Sequence, residues 1–556
     1  MSSSDPATTT PRRRARPRRL GGAFAFAGSG LLATLAGMSA GHLTAALTDP
    51  ADSPVLAVGS TVIDATPTPV KEWAIATFGS ADKIILVGSV VVVTLLLAAL
   101  AGLLARRRTA LGLGLLLALV AAAGAAAVLQ PAAGVLAVVP ALVTAAVGAA
   151  VLLWLVRGLR ARGAATVGTA GTAGAAQTPS RADEGDGPDV LDAGEPASRR
   201  TPVGASRRGL LVGSGLVALA SVAAAGAGQW IGTVRTRLSD IALPTPARSP
   251  DPLPQGLEGR VDGLSPFRTP EADFYRVDIN LAVPVVDQDS WTLTIDGDVD
   301  TEVTFSYADL LEMETVEHDI TLTCVSNFVG GPYVGSARWQ GIPIKQLLDR
   351  AGIDGTGADQ ILSTSVDGFT MSTPLEVALD GRDTMLVVGM NGNPLPRDRG
   401  FPARLVTPGI YGYVGACKWV ERLTLTTYAE QEAYWTERDW AIEGPIKISS
   451  RIDTPEALSR SDAGQIAVAG VAWAQTRGIG KVQVRVDGGP WRDAELGPDA
   501  GVDYWRQWVY RWDATPGQHS LACRAVGEDG EVQTAVQAEP FPNGASGIQE
   551  IQVFVD

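Results

Sequence analysis

A cysteine at the mouth of a glycine-rich loop is the residue of this chain best placed for chemistry. The stretch Thr321-Leu-Thr-Cys324-Val-Ser-Asn327-Phe-Val-Gly-Gly-Pro-Tyr-Val-Gly-Ser-Ala-Arg338-Trp339-Gln-Gly sets Cys324 at the end of an alternating apolar run, Ile320, Leu322 and Cys324. Alternation predicts a strand, and the Gly-Gly-Pro that follows lets a bulky group come close to the backbone. A thiol so placed is either core filler, since free Cys packs as a small hydrophobe, or the thiolate ligand of a soft metal. Filler does not need the glycine loop.

A second constellation lies downstream. The run Met390-Asn391-Gly392-Asn-Pro394-Leu-Pro396-Arg397-Asp-Arg399-Gly400-Phe401-Pro402-Ala-Arg404 is followed by Pro408-Gly409 and by Cys417-Lys418-Trp419. Planar, permanently charged guanidiniums among glycine-rich turns suit a large anion-bearing ligand. Together the two stretches resemble the sulfite oxidase family of molybdenum enzymes. That family carries Cys-x-x-Asn, Ala-Arg-Trp-x-Gly, Met-Asn-Gly-x-x-Leu-Pro, Gly-Phe-Pro-x-Arg, Pro-Gly and Lys-Trp at this spacing, and the likeness covers roughly residues 265–556.

The resemblance implies a molybdenum-molybdopterin cofactor with Cys324 as the protein's metal ligand, and a reacting site made of Cys324, Asn327, Arg338 and Phe369. It implies pterin contacts from Tyr275, Arg276 and Asp278, and an acceptor for the pterin amino groups in Asp367. Arg399, which stands where many members have a histidine, would serve the phosphate with Arg404, and Lys418 would offer the cofactor either its charge or its backbone. Sulfite-oxidising members crowd the metal with arginines and a tyrosine. Here Phe328 and Val329 follow the asparagine and Phe369 takes the tyrosine position, so the implied pocket is apolar and a sulfite dianion fits it poorly.

Positioning that site takes an α+β domain, expected over residues 265–443, with a helix around Tyr307, Leu310 and Leu311, a helix over 344–351 and a strand from Gln360. From residue 444 the pattern turns all-β. Runs at 465–473, 482–486, 505–512 and 520–526, spaced by turn residues, predict a seven-strand immunoglobulin-like sandwich over 444–556. It resembles the family's dimerisation domain, so a homodimer is expected, with a passive spacer as the alternative.

The first 231 residues are of another kind. Apolar stretches at 21–47, 84–105, 111–129, 134–156 and 209–231 are each long enough to span a bilayer, and they account for a mean hydropathy of +0.14. Arginine clusters at 12–19, 106–108, 157–162 and 199–208 all fall on one side if there are five spans, which makes the N-terminus cytoplasmic and the chain after 232 extracytoplasmic. The expected organisation is four transmembrane helices in 1–162, a disordered cytoplasmic linker over 163–208, a fifth helix over 209–231 headed by a twin-arginine-like motif at Arg207-Arg208, and a tether over 232–264.

A formal net charge of -14 argues against nucleic acid as a partner. With three histidines, of which only His42 lies in a span, neither a bis-histidine haem in the bundle nor a structural zinc site is expected, and no CxxCH, HExxH, GxSxG or P-loop occurs. The sequence therefore reads as a multi-domain, multi-pass protein of a bacterial cell membrane: a transmembrane α-helical bundle, an α+β molybdopterin domain facing outward, and an all-β immunoglobulin-like sandwich. Its expected partners are a small-molecule substrate and a separate cytochrome or quinone-linked electron carrier at the membrane. The alternatives are a reductase of oxidised compounds of the methionine-sulfoxide type, and a non-catalytic envelope binding module.

Overall fold

The computed structural model describes residues 18–78, 81–131, 133–171, 207–235 and 241–556, so the arginines at 12–16 and most of the expected linker lie outside the described residues. The chain divides into two compact units, Met1–Val234 and Arg235–Asp556.

The first unit is helical. Helices α1 (Arg18–Leu47), α4 (Asp82–Arg107), α5 (Thr109–Val128), α6 (Val139–Gly171) and α7 (Arg207–Arg235) contain the five segments long and apolar enough to cross a membrane. Two shorter helices, α2 (Pro54–Ala65) and α3 (Thr68–Phe78), lie between α1 and α4; Asp49 caps the turn before α2, accepting from the Ala51 N–H at 2.9 Å. Glycines let the long helices meet backbone to backbone. Gly30 of α1 faces Ala98 and Gly102 of α4, and a Cβ at Gly37 would lie 2.6 Å from the Thr144 carbonyl of α6. Their outward faces carry Phe24, Ile84, Leu96, Leu211 and Val222, all largely exposed, as a lipid-facing surface requires. Helix α6 runs nine residues past the expected boundary at 162.

In the second unit, strands β1 (Thr292–Gly297), β2 (Val303–Ser306), β5 (Gln360–Ser365), β6 (Thr370–Pro374) and β10 (Val420–Thr426) form one sheet in the order β2-β1-β10-β5-β6. Strands β3 (Val316–Thr323), β4 (Val334–Pro343), β7 (Met385–Met390) and β8 (Asn393–Pro394) form another, with β9 (Arg404–Val406) paired to β7. Helices α8 (Tyr307–Glu312), α9 (Ile344–Ala351), α10 (Leu375–Leu379) and α11 (Gly412–Gly415) connect them. Ser306 and Asp309 cap α8 reciprocally. Leu293, Ile295, Leu310, Leu347, Leu386 and Leu423 share one core, which fixes both sheets as a single framework.

The C-terminal part is a double sheet. One layer runs β11 (Ser449–Thr454), β13 (Gly464–Trp473), β17 (Arg506–Ala514), β16 (Glu495–Leu496); the other runs β12 (Arg460–Ser461), β19 (Gln549–Val555), β18 (Gly517–Gly527), β14 (Ile479–Val486), β15 (Arg492–Asp493). Val468 and Trp508 of the first layer and Val482, Leu521 and Val553 of the second meet in a common core. Nine strands replace the expected seven, three of them only two residues long. The expected tether is not free either. Leu257, Val261 and Leu264 are buried against Ala469 and Val509, so this proline-rich segment is strapped onto the double sheet.

Candidate functional site

Strand β3 delivers Cys324 to a loop that closes on itself. The Cys324 N–H donates to the Tyr333 carbonyl at 3.0 Å, the Asn327 N–H donates to the Cys324 carbonyl at 3.1 Å, and Asn327 Oδ1 accepts from the Tyr333 N–H at 2.8 Å. Asn327, expected at the reacting centre, spends its carboxamide oxygen on holding this loop. Burial pushes the Cys324 thiol up, with bonds from Ser326 opposing, so without a cation at sulfur the thiol stays protonated.

A cradle forms beside it. A Cβ on Gly412 would sit 3.8 Å from Tyr275 Oη and from Ala416 Cβ, and 3.9 Å from the Thr323 carbonyl. At these distances an added methyl makes ordinary contact, so the three elements border one common space. The Tyr275 hydroxyl is pushed far up by burial first, and also by negative charge at Cys324, while Arg404 and Arg399 pull it down. These causes place Tyr275, Cys324, Arg399 and Arg404 in one electrostatic neighbourhood.

The two arginines are the unusual part. Arg404 is buried over the Trp339 ring, 5.1 Å from its centroid, and its Nη1 and Nη2 donate to the carbonyls of Arg399 at 3.1 Å and Ala416 at 3.4 Å. Among the described residues Arg404 has no carboxylate partner, and its Nε makes no hydrogen bond. Arg399 donates from Nε and Nη2 to the Glu271 carbonyl, at 3.2 and 2.9 Å. Its Nη1, 3.4 Å from Asp398 Oδ2, lacks a well-formed bond. Burial pulls Arg404 down to about 10 and lowers Arg399 as well; the charge of Arg399 adds to the lowering at Arg404, and that of Arg276 to the lowering at Arg399. Two buried, mutually repelling guanidiniums with donors to spare fit an anionic group between them.

Around them lies an ion cluster in which Asp278, nearly inaccessible, pairs with both Arg276 and Lys418. Lys418 also lies over the Trp419 ring, 4.7 Å from its centroid. Asp367 accepts from the Asn280 amide and, at 3.0 Å, from the Phe369 N–H; burial raises its carboxyl above the ordinary range.

Arg338 is elsewhere engaged. It grips its cross-strand neighbour Asp319 with Nε and Nη2, at 2.9 and 2.6 Å, and reaches the Asp251 carbonyl at 2.7 Å. The residue expected at the reacting site thus makes an ion pair that ties β3 to β4. Phe369 packs against Tyr434 with the rings tilted by 57° and their centroids 5.2 Å apart. Sequence reasoning passed over Asn280, the partner of Asp367, and Tyr411, whose hydroxyl is pushed up to about 12 by burial first and by Cys324 in part. Tyr411 follows Pro408-Gly409 in the quoted run; nothing in a single sequence singles out Asn280. Cys417 and Cys523 are buried, and all three cysteines are free thiols.

Residues 280–435 match the family model of the oxidoreductase molybdopterin binding domain. Mitochondrial sulfite oxidase of Rattus norvegicus is 27% identical over 319 residues, covering 48% of this chain and 57% of the relative. The NAD(P)H nitrate reductase of Hordeum vulgare is 31% identical over 183 residues, covering 28% of this chain and 20% of that one. Among solved structures, the sulfane dehydrogenase SoxCD from Paracoccus pantotrophus aligns at a TM-score of 0.45 with 24% identity, over 51% of this chain and 80% of that one.

Proposed function

We propose, from the premise that the chain belongs to the sulfite oxidase family of molybdopterin-dependent oxidoreductases, that it is a membrane-anchored enzyme exchanging an oxygen atom and two electrons with a small, weakly charged substrate. The observation that carries this reading is a buried thiol and two buried guanidiniums with unused donors, all acting on the Tyr275 hydroxyl. When bound, the molybdenum cofactor supplies two-electron oxo-transfer chemistry.

This chain's residues would do the rest. Cys324 would give up its proton and ligate the metal through Sγ, its position fixed by the Asn327 staple. Arg404 and Arg399 would turn their free Nε–H and Nη1–H toward the phosphate of the pterin. The carboxylate of Asp367 would have lone pairs left for the pterin amino groups, and the Tyr275 hydroxyl lies beside the Gly412 backbone, within the influence of Cys324. Phe328, Val329 and Phe369 would line an apolar approach, which disfavours a sulfite dianion.

Topology follows from charge. The Arg160 Nη2 donates to the Ala105 carbonyl at 2.7 Å, which supports putting the arginine-rich ends of α4 and α6 on one side, the cytoplasmic one. The segment after α7 is then extracytoplasmic, electrons pass to or from a separate membrane-associated carrier, and the C-terminal double sheet is an immunoglobulin-like dimerisation module.

Turnover by the loaded full chain in detergent tests the proposal, with a dye as electron acceptor for sulfite or as donor for S-oxides and N-oxides. Turnover of a neutral oxide by the wild type, absent in Cys324→Ser, is the expected result. Molybdenum-loaded protein inert toward all of these contradicts it.

A further inference from the structure

Six residues before Cys324, strand β3 carries His318, which lies opposite Trp339 of β4. Both of its ring nitrogens face carboxylates. Nδ1 is 3.0 Å from Asp383 Oδ2 and Nε2 is 3.2 Å from Asp503 Oδ2. A neutral imidazole can donate from one nitrogen only, and a carboxylate can only accept, so both contacts are satisfied together only in the doubly protonated ring.

The two carboxylates come from different parts of the second unit. Asp383 lies in the turn before β7 and also pairs with Arg248 of the preceding segment, at 2.7 Å. Asp503 belongs to the double sheet: its Oδ1 accepts from the Thr476 N–H at 2.9 Å and its carbonyl accepts from the Thr321 N–H of β3, also at 2.9 Å. Gln475 and Trp505 reach the same strand, Gln475 donating to the Thr321 carbonyl at 2.8 Å and the Trp505 N–H to Thr321 Oγ1 at 2.8 Å. The remaining charges nearby act elsewhere: Asp319 pairs with Arg338, whose charge Glu317 also favours, and Arg382 pairs with Asp380.

We propose that His318, held doubly protonated between Asp383 and Asp503, is a positioning residue that fastens the C-terminal double sheet to strand β3, and that its deprotonation releases this fastening and loosens the strand end that carries Cys324. Burial by itself would pull the His318 ring down, but the bond and charge of Asp503 and the charge of Asp383 outweigh it and hold the ring above its ordinary value. The sign follows. A raised value means the fastening is complete below the ordinary histidine range, near pH 6.5, and is lost as pH climbs through the raised value. A protein whose second unit faced the outside would meet such changes directly. The inference concerns the contact itself and does not depend on what the site binds.

Hydrogen exchange of the full chain in detergent, corrected for intrinsic rates, tests it between about pH 6 and about pH 9. In the wild type, protection of residues 316–323 and 499–505 is expected to fall about tenfold across this range, the equivalent of roughly 1.4 kcal/mol. His318→Gln and Asp503→Asn should sit at the low-protection level at every pH, whereas His519→Gln, which alters a different imidazole–carboxylate pair, Asp487–His519, should behave as wild type. Wild-type protection that ignores pH, or a pH response that survives in His318→Gln, overturns the proposal. Because the chain has only three histidines, imidazole NMR of the wild type reads the ring directly even if a variant fails to fold. A neutral His318 ring near pH 6 is also fatal to the idea.

Discussion

Replacing Arg404 by methionine separates a residue built for an absent anion from one built for the fold. Arg404 is drawn from its ordinary 12.5 down to about 10 by burial, and at about 1.36 kcal/mol per tenfold change in proton affinity its charge costs the empty fold on the order of 3 kcal/mol. The sign check is that of a cation whose folded value is depressed. The cost is present in full at neutral pH, where the group is charged in both states, and is relieved only as pH rises through about 10. Methionine removes that cost but also two bonds to carbonyls and a ring contact, together worth about 2–3 kcal/mol. The empty variant should therefore lie within about 1 kcal/mol of wild type, a melting shift of only about 2–4 °C. Cofactor retention should fall steeply. Each charge-assisted bond lost to the anion is worth about 1.5–3 kcal/mol, or about a 10- to 100-fold weaker hold. Scanning calorimetry of protein from pterin-deficient cells, beside metal and pterin counts of protein from competent cells, reads both halves. Wild-type cofactor content in Arg404→Met, or a loss above about 3 kcal/mol in the empty form, refutes the reasoning.

Three further outcomes follow from the same geometry. Because burial raises the Cys324 thiol, cofactor-free protein should resist alkylation at that site at neutral pH and react faster as pH rises; equally fast labelling at pH about 7 and 9, read by mass spectrometry, would contradict the placement. Arg338→Ala should destabilise the second unit by about 3–5 kcal/mol, since Asp319 is left buried and unpaired, yet protein that remains folded should keep wild-type kcat; a selective loss of kcat would return Arg338 to the reacting site. Gly30→Val, which drives a side chain into the Ala98–Gly102 backbone of α4, should cost the helical unit about 1–3 kcal/mol while leaving the cofactor content of the second unit intact, so cofactor loss in step with bundle unfolding would count against two separate units.

Much of this fold is written in local pattern. The apolar runs, the α9 helix over 344–351 with buried Ile344, Leu347 and Leu348, and the alternating strand ending at Cys324 are local signals, and the structure realises them. What the sequence hides is who meets whom. Arg338 and Arg404 look alike in the chain, but Arg338 faces Asp319 across a β-ladder while Arg404 faces carbonyls and the Trp339 ring. That difference rests on strand register, a tertiary property. The strap of Leu257, Val261 and Leu264 was masked by the prolines around it, which announce extended chain but not what that chain packs against. Asn327 sits in the family's motif, yet its oxygen closes the loop; a motif marks position and leaves orientation open.

The most direct test of the central claim is to count metal, pterin and sulfur in the purified full chain, wild type beside Cys324→Ser, using elemental analysis, pterin fluorescence and X-ray absorption at the molybdenum edge. The account predicts about one molybdenum and one pterin per wild-type chain, with one sulfur ligand fewer at the metal in Cys324→Ser. Wild-type protein without molybdenum, taken from cells that load other molybdoenzymes, or an unchanged sulfur count in the variant, would contradict it.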